Sequence, residues 1–171
     1  IFKPGMIITA FLLIRYWILN NGMAQKINNQ NEKKYYFLFF GVSSAIFLIA
    51  HSILLGVNFE YDLYKFLRRF IIITFILFEI IAQTLLVITL FKIKNKIPNL
   101  INKKILTFKI VLVSLLCIVA LASLPILTSS GNTSYKHALE WNFFIGVITF
   151  YLLTFLFWKK DKNPAHTPEG A

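Results

Sequence analysis

Long apolar segments alternate with short polar ones along this chain of 171 residues. Because a hydrocarbon core of roughly 30 Å requires about 20 apolar residues in an α-helix, segments of this length match the span of a membrane. They cover residues 4–20, 36–57, 70–91, 105–127 and 138–158. Their uniform apolarity differs from the alternating pattern of a membrane β-barrel. The pattern therefore predicts an all-α fold, a polytopic transmembrane bundle of five helices.

Polar connections separate these helices. They cover residues 25–34, 58–69, 92–104 and 128–136. After the last helix, residues 159–171 are polar and include Pro164 and Pro168, which is typical of a flexible terminus. The predicted organisation is thus a helical bundle over residues 1–158 followed by a tail over 159–171, with no second domain.

Composition agrees with a membrane environment. Hydrophobic residues make up 57% of the chain and charged residues only 15%, whereas a soluble domain has about 25% charged residues. The net charge of +11 would suit a nucleic-acid partner, but the lysines and arginines lie mainly at the ends of the apolar segments. Positive-inside retention and anionic lipid headgroups account for charges in those places. We therefore expect membrane lipids as partners and no nucleic acid.

Short motifs of catalysis or cofactor binding are missing from the sequence. It contains no nucleophile–base signature, phosphate-binding loop or histidine-rich metal cluster. Cys117 falls inside an apolar segment, which is typical of a small buried hydrophobic side chain. The sequence therefore predicts a protein that is not an enzyme and that uses neither a cofactor nor a metal.

Lysine and arginine are distributed unequally between the two sides of the predicted bundle. Of the 18 residues, eleven share one side, five lie on the other, and Arg15 and Lys109 fall inside helices. Because cytoplasmic loops are enriched in these residues, the richer side is predicted to be cytoplasmic. The C-terminus is then cytoplasmic, in an endomembrane or the plasma membrane of a eukaryote or in the inner membrane of a bacterium.

The two basic residues inside the helices have a simple explanation. Arg15 and Lys109 each lie about one and a half turns from the predicted cytoplasmic end of their helix, at 3.6 residues per turn. A long side chain can carry its charge from that depth to the headgroups. We therefore predict that both side chains extend to the membrane surface.

Glu79 requires a different explanation. It lies near the middle of the third predicted helix, about 15 Å along the axis from Arg69 at 1.5 Å per residue. A carboxyl group at that depth must be protonated, paired or next to a polar cavity. Gln83 is four residues later and shares its face, so both residues are predicted to line the bundle interior. Two roles fit: a hydrogen bond between helices by a neutral carboxyl group, or a site for a proton, a cation or a polar headgroup.

A second group of residues is predicted near the opposite, lumenal or periplasmic, ends of the helices. These residues are His51, Arg68, Arg69, His137, Glu140 and Trp141. One interpretation is a set of ion pairs between helices, with Glu140 complementing the positive N-terminal end of its helix. The other is a polar pocket that binds a lipid headgroup or carries out catalysis on the lumenal side.

The last helix carries a more specific pattern. Residues 135–142 read Tyr-Lys-His-Ala-Leu-Glu-Trp-Asn, and residues 151–156 read Tyr-Leu-Leu-Thr-Phe-Leu. With the Glu140-Trp141 pair at its head, this helix resembles the last helix of the DRAM/FRAG/Sfk family. That family includes damage-regulated autophagy modulators and GPI-anchor lipid remodelling factors. Residues 56–60, Gly-Val-Asn-Phe-Glu, resemble a turn in the autophagy modulators more weakly.

The resemblance implies both an arrangement and a type of function. The family has six helices with both ends in the cytoplasm, and this chain matches the last five, so a further helix is expected ahead of Ile1. The implied action is on lipids, in remodelling, lipid asymmetry or lysosomal and autophagic membranes. Arg68, Arg69 and Glu79 match no position of the family pattern, so it implies no role for them.

Three functions remain open at this point. The first is a non-enzymatic protein that binds or regulates membrane lipids, with Glu140, Trp141 and His137 at a headgroup site. The second is an accessory subunit of a larger membrane complex, because a short, phenylalanine-rich bundle offers mainly interface. The third is a small proton-coupled transporter that uses Glu79. The absence of a visible inverted repeat favours the first two.

Overall fold

The computed structural model of the chain describes residues 2–28, 35–54, 61–94, 102–128 and 133–157. Nearly all of them are helical, and none forms a strand. The helices are α1 (Phe2–Asn28), α2 (Tyr36–Leu54), α3 (Asp62–Ile93), α4 (Lys103–Thr128) and α5 (Thr133–Phe157). The predicted all-α bundle of five helices is confirmed.

Four of the helices are long and apolar enough to cross a membrane by length and composition. The spans are Lys3–Ile27, Tyr36–Leu54, Phe66–Ile93 and Lys103–Ser123, and α5 contains a shorter apolar stretch, Ile145–Thr154. Large apolar side chains such as Phe11, Ile46 and Leu121 are exposed on the outside of the bundle, where lipid tails would contact them. The chain is a multi-pass membrane protein.

Three helices begin or end beyond the apolar segments that predicted them. α1 continues to Asn28, α3 begins at Asp62 and α5 begins at Thr133, so parts of the predicted connections are helical. Each added residue gains one backbone hydrogen bond once a helix has started, and leucine, lysine and arginine in these extensions are good helix formers. The predicted tail, 159–171, lies outside the described residues.

The helices pack in sequence order. α2 lies between α1 and α3, and α4 contacts α3 and α5. The backbone N–H of Tyr35 donates to Asn21 Oδ1 (3.2 Å), and Ser52 Oγ donates to the carbonyl of Lys3 (3.2 Å), so α1 and α2 are antiparallel. At one end of the bundle, the N–H of Asn102 donates to the carbonyl of Phe157 (3.1 Å), so α4 and α5 are antiparallel as well.

A single glycine sets the approach of α1 to α2. A Cβ atom at Gly41 would lie 2.3 Å from the ring of Trp17, well inside van der Waals contact, so only glycine lets the indole lie flat on α2. Trp17 is fully buried there and also contacts Phe37, with ring centroids 6.1 Å apart. This close packing carries the neighbouring Tyr16 toward α5, where the ring centroids of Tyr16 and Tyr151 are 4.5 Å apart.

Candidate functional site in the bundle interior

Glu79 lies at the centre of the bundle. It is thirteen residues after Phe66 and fourteen before Ile93 in the α3 span, about 20 Å from either end at 1.5 Å per residue. Its side chain is 0% exposed, as is that of Gln83. Both residues therefore line the interior, as the sequence predicted.

Three side chains hydrogen-bond to the Glu79 carboxyl group. Ser44 Oγ on α2 lies 2.7 Å from Oε2, and Gln83 Nε2 lies 3.0 Å from Oε1. The hydroxyl of Tyr151 on α5 also donates to Oε1. Together these donors tie α3 to two other helices through one carboxyl group.

Ser44 has two acceptors within reach, and this matters for the protonation of Glu79. Its Oγ is 2.7 Å from Glu79 Oε2 and 2.8 Å from the carbonyl of Gly41, yet a hydroxyl has one proton to donate. When Glu79 is ionised, Ser44 donates to the carboxylate. When Glu79 is protonated, its own O–H can donate to Ser44 Oγ while Ser44 donates to Gly41. Both protonation states are therefore satisfied without any change of position.

A lysine lies in the same interior. Lys109 is 0% exposed; its Nζ donates to Thr154 Oγ1 and lies 4.1 Å from the centre of the Phe150 ring. The prediction that Lys109 extends to the headgroups is wrong. A hydroxyl acceptor and an aromatic face, which attracts cations, hold its ammonium group inside the bundle. Arg15, by contrast, is exposed on the outer face of α1.

Tyr16 lies between the threonine that binds Lys109 and the tyrosine that binds Glu79. Its hydroxyl lies 2.8 Å from Thr154 Oγ1, and its ring packs edge-on against that of Tyr151. Thr154 Oγ1 donates to the carbonyl of Phe150 (3.0 Å), so it accepts from both Tyr16 and Lys109, which fills its two acceptor positions. The two tyrosines, Tyr16 and Tyr151, thus lie between the acidic group of Glu79 and the basic group of Lys109.

These side chains form what we call the interior polar cluster. Its members are Tyr16, Ser44, Glu79, Gln83, Lys109, Tyr151 and Thr154. Every one of the five helices contributes at least one of them. A lone charge in hydrocarbon is expensive, but an acid and a base together can be neutral, either as an ion pair or after a proton passes between them.

The cluster reaches from the centre toward one end of the bundle. Thr154 is three residues before the end of α5, and Lys109 is six residues after the start of α4. Asn20 and Asn21 on α1 are nearly fully buried beyond Tyr16 on the same side. Polar side chains therefore follow one half of the interior, from its centre toward that end.

The structure describes three of the six residues predicted at the other end. His51 is half-buried on α2, and Arg68 and Arg69 are exposed in the first part of α3. The two helices are joined there by a hydrogen bond from the hydroxyl of Tyr64 to the carbonyl of Leu54.

The other three predicted residues are on α5. The backbones of His137, Glu140 and Trp141 are helical, and their side chains lie outside the described residues. The pocket that the six residues would form therefore stays a prediction.

The sequence identified Glu79 and Gln83 but missed the rest of the cluster. Tyr151 and Thr154 are spaced i, i+3, so they share one face of α5, and Ser44 follows Gly41 by the same interval. Single hydroxyl residues are common in apolar helices, where they bond to their own backbone, as Thr74, Thr89 and Thr149 do here. Spacing alone therefore did not show which hydroxyl residues bond to their own helix and which bond to a neighbouring helix.

No family model, curated protein or solved structure matches this chain. The resemblance to the DRAM/FRAG/Sfk family stays a prediction. Function is therefore inferred from the chemistry of the bundle interior.

Proposed function

We propose that this membrane protein is a small proton-coupled transporter in which Glu79 takes up and releases the proton. The observation that carries the proposal is the position of Ser44, within hydrogen-bond distance of both Glu79 and the carbonyl of Gly41. A carboxyl group that is satisfied both with and without its proton can change state at little structural cost.

The interior lysine supports the same proposal. Lys109 supplies a second group that can hold a proton, and hydroxyl groups lie between it and Glu79. Buried ionisable residues that face a bundle interior mark proton relays in pumps and transporters. In the proposed orientation, with the C-terminus in the cytoplasm, the polar half of the interior faces the cytoplasm.

Proton flux across liposomes tests the role of Glu79. The full chain is reconstituted into liposomes that contain a pH-sensitive dye and a mixture of sodium and potassium salts. The liposomes are then diluted into choline salt with valinomycin, so that potassium efflux makes their interior negative. We expect proton entry above that of protein-free liposomes, falling to that background in Glu79→Gln. Thr74→Val is the control, because Thr74 Oγ1 is on the same helix and bonds to its own backbone, at the carbonyl of Phe70. Proton entry by Glu79→Gln at the wild-type rate would rule out the proposal.

Interaction with membrane lipids is a second candidate function, and a groove on α2 favours it. The groove is apolar, has a volume of about 420 Å³ and opens on the side of the bundle; its lining residues are Tyr35, Leu38, Phe39, Val42, Ser43 and Ile46. An apolar groove along a membrane-spanning helix fits an acyl chain. This is the function that the DRAM/FRAG/Sfk resemblance implies.

Native mass spectrometry of the full chain, extracted in mild detergent, tests this candidate. We expect one lipid class to be retained, and Val42→Phe to reduce the retained lipid several-fold because the added ring fills the groove. Ile53→Phe is the matched control, since Ile53 is exposed on α2 away from the groove. Equal retention in all three proteins would mean that the groove binds no lipid specifically.

A further inference from the structure

Gln83 has a hydrogen-bonding capacity that the cluster does not use. Its Nε2 donates to Glu79, while its Oε1 is buried with no hydrogen-bond partner among the described residues. A buried carbonyl oxygen without a partner is costly and requires an explanation. Because the amide oxygen and nitrogen share one carbon, Oε1 lies beside the carboxyl group. A half-turn of the amide would bring Oε1 to the position that faces Glu79.

Several oxygen atoms lie at the Glu79 carboxyl group. They come from the carboxyl group of Glu79, the hydroxyl groups of Ser44 and Tyr151, and the amide of Gln83. Hydroxyl oxygens keep lone pairs for a cation when their protons turn away. Sets of carboxylate and carbonyl oxygens suit hard cations rather than soft metals.

Charge decides between a monovalent and a divalent ion. One carboxylate neutralises one positive charge, and a divalent ion would leave an excess charge in the membrane interior, which is expensive. The titratable groups near Glu79 add no second negative charge: Tyr151 comes from α5 and Tyr16 from α1, and Lys109 on α4 is bonded to Thr154 rather than to Glu79. A monovalent ion therefore fits the site.

We propose that Glu79, Gln83, Ser44 and Tyr151 bind a sodium ion in place of the proton of Glu79. The inference rests on the proposed function and names the coupled ion. The exchange balances: the proton leaves the carboxyl group for water, the sodium ion takes its place, and the charge of the site does not change. Gln83 contributes to the site because its amide oxygen replaces a water molecule of the sodium hydration shell.

Infrared difference spectroscopy of the full chain in lipid bilayers tests this directly. The protein is exchanged between choline chloride and sodium chloride at equal ionic strength, at a pH where the acid carbonyl band of Glu79 is present. With only seven aspartate and glutamate residues in the chain, Glu79→Gln assigns that band. We expect sodium to remove the acid band and to raise a carboxylate band, with no such change in choline. Thr74→Val should respond as the wild type does.

Variants of the ligands separate sodium binding from protonation. We expect Gln83→Leu to keep the acid band. Removal of that band should require at least about tenfold more sodium, because loss of groups around a metal site commonly weakens metal binding by such a factor. Ser44→Ala should shift the response in the same direction and serves if Gln83→Leu does not fold. An acid band that sodium leaves unchanged in the wild type would overturn the sodium inference alone. The absence of any Glu79 acid band across the pH range would overturn the proposed proton function as well.

Discussion

Replacement of Glu79 by leucine is expected to destabilise the bundle by about 2–6 kcal/mol, because two buried donors lose their acceptor at a cost of about 1–3 kcal/mol each. Leucine fills a similar volume but accepts no hydrogen bond. The hydroxyl of Tyr151 and the amide of Gln83 then lose their acceptor in the interior. A buried donor left without a partner carries its full desolvation cost.

The free energy of unfolding, measured by titration with a denaturing detergent, checks this prediction. Glu79→Gln should be destabilised less, because the amide oxygen still accepts from Tyr151. Thr74→Val, which removes a hydroxyl that bonds to its own helix, should change the stability by less than about 1 kcal/mol. If Glu79→Leu were as stable as the wild type, the interior polar cluster would contribute nothing to the fold.

Glu79 and Lys109 are expected to be coupled energetically, although they lie on α3 and α4 and are connected through side chains of α1 and α5. Glu79→Gln and Lys109→Met each remove one of the two interior groups between which we propose that a proton passes. The double variant removes both charges. Its destabilisation should therefore be smaller than the sum of the two single effects by about 1–3 kcal/mol, within the range of interacting residues.

A double-mutant cycle on the unfolding free energy measures this coupling. The matched cycle pairs Lys109→Met with Thr74→Val, and its two effects should add within about 0.5 kcal/mol because the residues share no partner. Additive effects of Glu79→Gln and Lys109→Met would show that the two residues are not energetically coupled. That result would remove Lys109 from the proposed proton path but would leave Glu79 in it.

The sequence alone determined that the helices lie in lipid and how many helices to expect. Twenty apolar residues in a row permit only a helix in lipid, because no water is present to satisfy the backbone. The long apolar segments therefore predicted five helices, and within the residues that the structure describes there are five. The depth of Glu79 followed from counting residues at a fixed rise, and its inward orientation followed from the cost of a carboxyl group in hydrocarbon.

The tertiary structure decided which residues meet Glu79. These helices are apolar nearly all round, so periodicity alone does not fix their rotation about their own axes. The prediction for Lys109 was wrong for this reason. A lysine near a helix end can extend to the headgroups or turn inward. The hydroxyl of Thr154 and the ring of Phe150, both on a neighbouring helix, hold the side chain inside the bundle. The partners of a membrane polar residue are set by helix rotation and register, which arise from packing between helices such as the contact of Trp17 with Gly41.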